Sequence, residues 1–293
     1  MSLAVLNPMG EVALQQKNLL IFSTYLILLV VIPTILMVLA FSWKYRAGNK
    51  NAKYTPNWCH NTLLEVIWWT IPIIIIIVLA TVTWKTTHKL DPYRPLDSEK
   101  KPITIEVVAL DWKWLFIYPE YNFATINYIK IPLDVPVNFK ITADAPMNSF
   151  MIPQLGGQIY AMQGMETKIH MVANQIGKFD GYSANFSGPG FSGMKFIAES
   201  LTEEDFAKWI KEMKAVKNPL GIERYNSELF PQTYSQPVQY YNPVDKTLYR
   251  HIIDKFMMSH GGNSHSGGAH AHHKKEIDSG ENHENHNAHK GHN

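Results

Sequence analysis

The sequence predicts two membrane-spanning helices followed by an all-β sandwich. Residues 18–43 contain no charged side chain, and a second charge-free run covers residues 66–84. A bilayer core of about 30 Å needs roughly 20 apolar residues in a helix, so both runs are long enough to cross it. Beyond residue 102 the long apolar runs give way to short alternating segments, which are typical of strands.

The charges that flank these runs give the helical hairpin an orientation. We assign the first transmembrane helix to residues 18–43, the second to residues 63–84 and the connecting loop to residues 44–62. Four basic residues and no acidic residue lie in that loop: Lys44, Arg46, Lys50 and Lys53. Short loops rich in Lys and Arg stay cytoplasmic. The N-terminal segment 1–17 and everything after the second helix are therefore expected on the opposite side, the periplasm of a bacterium.

Composition narrows the class of protein further. The 293 residues carry a net charge of +2, which gives no basic surface for nucleic acid, and none is expected as a partner. The single cysteine, Cys59, has no second cysteine for a disulfide or for a thiolate metal site. We interpret it as a small loop residue. The chain is long enough for one membrane module and one soluble domain.

Short strands separated by Pro, Gly and Asn fill residues 102–200. In the clearest of them, Val137, Phe139 and Ile141 alternate with polar residues, as in a strand with one buried face. Further strands are predicted at residues 103–109, 113–118, 125–131, 168–172 and 195–198. Seven or more such strands with turn signals between them favour a β-sandwich.

The C-terminal third is predicted to form a helix and an aromatic-rich extension (together residues 202–258), then a tail. Thr202 is a typical N-cap for the helix. Its apolar positions follow helical spacing: Phe206, Trp209, Ile210 and Met213. Residues 259–293 hold nine of the 13 histidines and very few apolar residues. We expect a disordered, solvated tail that binds metal at most adventitiously.

Six motifs in combination resemble subunit II of the haem-copper oxidases. They are WKYRA (residues 43–47), WKTTH (84–88), KPITIEVV (101–108), DWKW (111–114), MNSF (147–150) and SGPGFSGMKF (187–196). The resemblance runs from about residue 2 to residue 258 and includes the aromatic-rich extension. It implies a cupredoxin-like fold for the sandwich. The expected fold class is thus a membrane α-helical hairpin followed by an all-β cupredoxin-like sandwich.

The resemblance also indicates which chemistry this chain lacks. Copper-bearing members hold two copper ions with two Cys, two His, a Glu carbonyl and a Met. The matching positions here are Asn148, Ser183, Asn185, Ser187, Phe191 and Met194, of which only the Met is retained. Soft copper needs thiolate and imidazole ligands, which hydroxyl and phenyl groups do not replace. The loop is therefore similar to that of the copper-less ubiquinol oxidases of the cytochrome bo type.

Membership of that branch implies a complex that oxidises ubiquinol, reduces oxygen to water and moves protons across the bacterial inner membrane. It implies that this chain holds no cofactor, and that the haems, the copper and the ubiquinol site belong to subunit I. The implied protein partners are subunit I, subunit III and a small subunit IV, and membrane lipid surrounds the helices.

Three residues receive roles through the resemblance. Glu65 lies at the start of the second helix. The helix dipole alone favours an acidic residue there. The resemblance instead implies that Glu65 lies at the entrance of a proton path into subunit I, the K-pathway. Trp112 and Trp114 belong to an aromatic cluster that lies near subunit I in copper-bearing relatives. Without copper they have no electron to relay, so we expect them to pack against subunit I.

Two other functions are weighed against this one. A stand-alone, membrane-anchored cupredoxin-like protein that binds metal through its tail would need neither Glu65 nor the DWKW motif. A cytochrome c oxidase subunit II with altered ligands would need a copper site that this chain cannot supply. Co-purification with large haem-bearing subunits separates the first alternative from the oxidase hypothesis.

Overall fold

The computed structural model describes residues 4–53, 55–57, 59–234 and 237–261, with backbone alone for the last four of these. Within them lie two long N-terminal helices, a two-sheet β-sandwich and a C-terminal extension that covers one sheet. Most of the predicted tail, from residue 262 onward, lies outside the described residues.

Two long apolar helices open the fold. Helix α1 spans Glu11–Lys44 and helix α2 spans Thr62–Lys89, so both extend beyond the charge-free runs. Both are apolar and exposed along the stretches long enough to cross a membrane. A helix that is apolar all round suits a lipid environment. The predicted spans, residues 18–43 and 63–84, lie inside these helices.

Helix α1 starts seven residues before the first apolar run because its N-terminus rests on the sandwich. Met9 and Gly10 both donate backbone hydrogen bonds to the carbonyl of Gln154, at 2.8 and 3.1 Å. A Cβ atom on Gly10 would lie 2.4 Å from the carbonyl oxygen of Val172, so only glycine lets the chain pass this closely. The hairpin thus contacts the soluble domain at the N-terminus of α1, and the chain that follows α2 links the other end of the hairpin to the same domain.

Eleven strands are found among the described residues. They are β1 (Ile103–Leu110), β2 (Lys113–Tyr118), β3 (Phe123–Ile126), β4 (Tyr128–Pro132), β5 (Val137–Ala143), β6 (Asn148–Met151), β7 (Gln158–Ala161), β8 (Thr167–Met171), β9 (Gly177–Ser183), β10 (Lys195–Leu201) and β11 (Gln239–Tyr241). The first sheet has the order β11-β3-β2-β1-β5-β8 and the second the order β4-β10-β9-β6-β7. Every predicted strand is present, and the β-sandwich is confirmed.

One predicted strand, at residues 125–131, is two strands that belong to different sheets. Asn127 lies between them with φ 55°, in the left-handed region that Asn tolerates better than most residues. Its side-chain oxygen accepts the backbone N–H of Trp114 at 2.8 Å, which fixes the corner. The apolar alternation changes phase here, with Ile126 before the corner and Ile129 and Ile131 after it, and this phase change was the available signal for two strands.

Helix α3 (Glu203–Ala215) follows β10 as predicted. The Thr202 hydroxyl accepts the backbone N–H of Asp205 at 3.1 Å, which confirms the N-cap. All four predicted core residues of this helix are buried: Phe206, Trp209, Ile210 and Met213. They join the core between the two sheets and close the open end of the sandwich.

The aromatic-rich extension builds a second hydrophobic core on the outer face of the first sheet. It contains a short helical segment, α4 (Ile222–Arg224), which continues as a π-helical turn (Tyr225–Leu229), then β11 and α5 (Leu248–Gly261). The buried side chains of this core come from both partners: Val108, Leu110, Leu115, Ile117, Ala124 and Ile126 of the sheet, and Leu220, Tyr225, Leu229, Tyr241, Val244, Leu248, Tyr249, Ile252 and Ile253 of the extension. The first sheet is thus covered on both faces.

A buried carboxylate holds this extension to the sandwich. The Asp144 side chain is 0% exposed and accepts the Tyr225 hydroxyl at 2.8 Å. It also binds the Lys255 ammonium at 2.8 and 3.1 Å, and the same ammonium lies 3.9 Å from the ring centroid of Phe230. Burial and the nearby carboxylate raise the pKa of Tyr225, so the phenol remains a donor. One side chain therefore joins the sandwich to α5 and the π-helical turn.

Asp144→Asn should lower the free energy of unfolding by about 2–3 kcal/mol, because it removes the buried charge that binds the Tyr225 hydroxyl and the partly exposed Lys255 ammonium. The matched control is Asp254→Asn, which breaks an exposed ion pair with Arg250 on the same helix. The control should cost less than about 1 kcal/mol. Urea unfolding of the full-length protein in detergent measures both values, and equal losses would contradict the role of Asp144.

Candidate functional site

The positions that hold copper in related proteins lie together at one end of the second sheet. Asn148 begins β6 and Ser183 ends β9, and the two strands are neighbours in the sheet. The other four positions follow on the loop of residues 184–194, which leads into β10.

Hydrogen bonds among these side chains replace the ligand set. The Ser183 hydroxyl donates to the Asn148 side-chain oxygen at 2.9 Å and approaches the carbonyl of Asn185 at 3.2 Å. The Asn148 amide donates to the carbonyl of Pro146 at 2.7 Å, and the Asn185 amide donates to that of Met147 at 2.9 Å. Both Asn148 and Ser183 are buried, so these polar groups satisfy one another without water or metal.

Apolar side chains complete the loop. Phe191, at a former His position, packs edge-on against Phe186 with ring centroids 5.6 Å apart. Met194 is fully buried, and its carbonyl accepts the backbone N–H of Ser183 at 3.3 Å. The one retained ligand residue is thus part of the core between the sheets.

The loop wraps around Trp112, which occupies the two-residue turn between β1 and β2. This residue has φ 62°, a strained conformation that persists only where the surroundings fix it. Its indole N–H donates to the carbonyl of Ser187 at 3.2 Å, and its ring stacks on Tyr234 at 4.9 Å. A Cβ atom on Gly190 would lie 2.2 Å from the ring, so a glycine is required there.

Trp114 lies deeper, inside the sandwich. It is 0% exposed, and its ring contacts Phe150 and Phe196 with centroid distances of 5.5 and 5.8 Å. Trp112 is only 4% exposed. We expected both rings to pack against subunit I, but this chain already encloses them and leaves almost no surface for a partner. Aromatic residues after a strand look the same in sequence whether they face a core or an interface.

Lys113, between the two Trp, makes a buried structural contact that the sequence alone does not predict. It is fully buried, and its ammonium donates to the carbonyl of Pro231 at 2.9 Å and to the Thr233 hydroxyl at 2.7 Å. Burial lowers the pKa of Lys113 to about 8. The side chain ties the turn under the loop to the C-terminal extension. A basic residue within an otherwise apolar strand was the available signal.

Glu65 lies far along the chain from this loop, in the first turn of α2. Asn61 caps the helix by accepting the backbone N–H of Leu64 at 3.1 Å. The Glu65 carboxylate lies 3.2 Å from the His60 ring nitrogen, and its side chain is 36% exposed. The carboxylate therefore lies at a helix end with a titratable neighbour. Cys59, beside this pair, is exposed.

These residues do not fit a copper centre. Five of the six positions carry amide, hydroxyl or phenyl groups. The Asn148, Ser183 and Asn185 side chains are hydrogen-bonded to one another or to nearby carbonyls, and the buried Ser187 hydroxyl has no partner among the described residues. In the part of the chain that the structure describes, no three His, Cys, Asp or Glu side chains come close enough to hold a metal ion. The fold and the loop together are consistent with the class that the motifs resemble: a membrane-anchored oxidase subunit II in which other side chains stand at the copper-ligand positions.

Comparisons with known proteins agree with this class. Residues 7–85 match the family model "Cytochrome C oxidase subunit II, transmembrane domain", and residues 214–260 match "COX Aromatic Rich Motif". The chain is 54% identical to cytochrome bo(3) ubiquinol oxidase subunit 2 of Pseudomonas putida over 89% of its own length and 83% of that protein. It is 51% identical to the same subunit of Pseudomonas aeruginosa (92% and 81%) and 46% identical to ubiquinol oxidase subunit 2 of Acetobacter aceti (87% and 83%).

At these identities and coverages the chain belongs to the ubiquinol oxidase subunit II family, within the haem-copper oxidases. The resemblance inferred from the motifs is confirmed. The cupredoxin-like sandwich and the aromatic-rich extension are both present in the structure.

Gly190→Ala should lower the free energy of unfolding by about 1–3 kcal/mol, because the added methyl group overlaps the Trp112 ring. The near-ultraviolet circular dichroism of the buried indole should change with it. Gly221→Ala is the control, since a Cβ atom there meets nothing within 4 Å. Equal stability of the two variants would show that Gly190 does not pack closely against the Trp112 ring.

Proposed function

We propose that this chain is the redox-inactive subunit II of a proton-pumping terminal oxidase that takes its electrons from ubiquinol. The loop carries the proposal: the positions matched to copper ligands hold amide, hydroxyl and phenyl groups, with a hydrogen bond between Ser183 and Asn148 and a ring contact between Phe186 and Phe191. None of these groups changes redox state under physiological conditions. Electrons from ubiquinol then reach oxygen without passing through this chain.

In this proposal the haems, the oxygen-site copper and the ubiquinol site belong to subunit I, and subunit III and a small subunit IV complete the complex. The basic loop between α1 and α2 faces the cytoplasm, and the sandwich lies in the periplasm. Loop charge supports this orientation, with four basic and no acidic residues between Lys44 and Thr62. The role of this chain is mainly structural. Its two helices anchor it in the membrane, and its periplasmic domain, which contains two hydrophobic cores, covers the complex on that side.

Glu65 has the one chemical role that we propose for this chain, at the mouth of a proton path into subunit I. Its carboxylate is partly exposed at the cytoplasmic end of α2 in the proposed orientation. The His60 ring nitrogen lies 3.2 Å from this carboxylate. A carboxylate at a membrane edge is costly unless it has such a partner or water. Glu65 can therefore take protons from the cytoplasm and hand them inward.

The purified native complex should consume oxygen with ubiquinol and not with reduced cytochrome c. The reason is that the network around Ser183 offers no acceptor for an electron from a soluble cytochrome. Oxygen uptake with each donor, offered separately, measures the preference. Uptake with cytochrome c would contradict the proposal, and a preparation without haem would favour the stand-alone alternative.

Glu65→Ala should leave the complex assembled and slow its turnover at least severalfold, since the variant lacks the group that takes up the proton. Glu65→Asp retains a carboxyl group and should keep much of the activity. Ubiquinol-dependent oxygen uptake and the haem content of each variant are the measurements. Unchanged uptake in Glu65→Ala would remove the proton role while leaving the donor assignment intact.

A further inference from the structure

A polar cavity lies where the helices meet the sandwich. It has a volume of about 210 Å³ and is enclosed by the first turns of α1, the segment that follows α2, and strand β8 with the loop before β7. Acidic and basic side chains line it together: Glu11, Asp91 and Asp97 with Lys89 and Arg94. Such a mixture suits a ligand that carries both charges better than it suits a simple anion.

Few of the charged groups that line this cavity form ion pairs with one another. Glu11 accepts the Gln15 amide at 3.0 Å, and Asp91 accepts the backbone N–H of Tyr93 at 2.9 Å. Neither carboxylate has an ion-pair partner among the described residues. The same is true of Lys89, whereas Arg94 approaches Asp97 at 3.4 Å. Both signs of charge are therefore available to a ligand.

An apolar groove opens directly beneath the cavity. It runs between α1 and α2, has a volume of about 340 Å³, and is lined by apolar residues such as Leu19, Phe22 and Val82. Gln15, Lys89 and Leu90 line both spaces, so the two are adjacent. The polar cavity alone is smaller than typical ligand pockets, and the two spaces together fall within their usual range of about 300–1,000 Å³.

The junction between cavity and groove lies at the membrane boundary. The charge-free run of α1 begins at Asn18, and that of α2 ends at Trp84. The groove therefore begins where the hydrocarbon begins, and the cavity lies at the level of the lipid headgroups. Interfacial Trp and Lys residues near this level, Trp84 and Lys85 among them, are typical of such a boundary.

We propose that the cavity and the groove together bind one zwitterionic phospholipid with a primary amine, that is, a phosphatidylethanolamine. Lys89 and Arg94 bind its phosphate, and the carboxylates of Glu11 and Asp91 bind its ammonium. An acyl chain occupies the groove beside Phe22 and fills the space between the two helices. The site depends on the membrane assignment of α1 and α2 and does not depend on which electron donor the oxidase uses.

The lining charges select among lipids. Three acidic against two basic side chains disfavour an anionic headgroup such as phosphatidylglycerol, because its phosphate would bring no compensating cation. A primary ammonium donates three hydrogen bonds, which carboxylates accept well. The trimethylammonium of phosphatidylcholine donates none, and it is too bulky to approach both carboxylates closely. Phosphatidylethanolamine should therefore bind more tightly than either.

Native mass spectrometry of the delipidated, full-length oxidase complex, titrated with each lipid in turn, tests this site. Lys89→Met should weaken the tightest phosphatidylethanolamine site at least tenfold. Lys85→Met is the matched control, since it removes the same charge one turn away and lines neither space. A second pair of variants tests the groove: Val82→Trp should block the site, and Val78→Trp, one turn further into the membrane, should not.

Selective loss in Lys89→Met and Val82→Trp, with phosphatidylethanolamine preferred, would support the site. Equal loss in Lys89→Met and Lys85→Met would overturn it, as would equal affinity for the three lipids or no loss at all. A photoreactive residue at position 82 that crosslinks to another subunit rather than to lipid would also overturn it. Oxygen uptake with ubiquinol, measured on the same samples, separates failure of this site from failure of the proposed function.

Discussion

The rest of the soluble domain depends on a sheet that is buried on both faces. Strand β2 is buried at every position, and the second half of β1 is equally enclosed. One face packs against the second sheet, and the other face needs the C-terminal extension to keep it from water. The Asp144 carboxylate joins that extension to the sandwich at a point where an unpaired charge would be costly.

This packing gives a reason why the loop keeps its frame when it carries no copper ligands. Trp112 is held in a strained turn, and it is the loop that encloses its ring. A loop released from metal binding must still cover that indole, so Gly190 is required regardless of redox chemistry. Ser183 is close in size to the Cys that the resemblance matches to its position, and Asn148 is smaller than the matched His; the two side chains bond to each other. The frame is therefore constrained by packing, and the chemistry of its side chains could change within it.

The sequence predicted the features that depend on a repeating pattern or on neighbouring residues. The two helices, the alternating strands and the Thr202 cap follow from periodicity and capping rules, and all are present. The corner at Asn127 was not predicted although the apolar alternation changes phase there, and the second core was not predicted because it depends on contacts between distant segments. The same limit applies to the site: the motifs located the loop, but burial of Trp112 and Trp114 within the chain needed the tertiary structure.

The membrane hairpin poses a different physical problem from the sandwich. Lipid tails are as apolar as the helix surfaces, so no hydrophobic force brings α1 and α2 together. Within the described residues the two helices make little contact with each other, and a groove separates them at the periplasmic end in the proposed orientation. Their positions are set instead by the sandwich, on which the N-terminus of α1 rests through Gly10 and Gln154. A rigid soluble domain thus fixes two helices that present nearly all of their surface to lipid and to partner subunits.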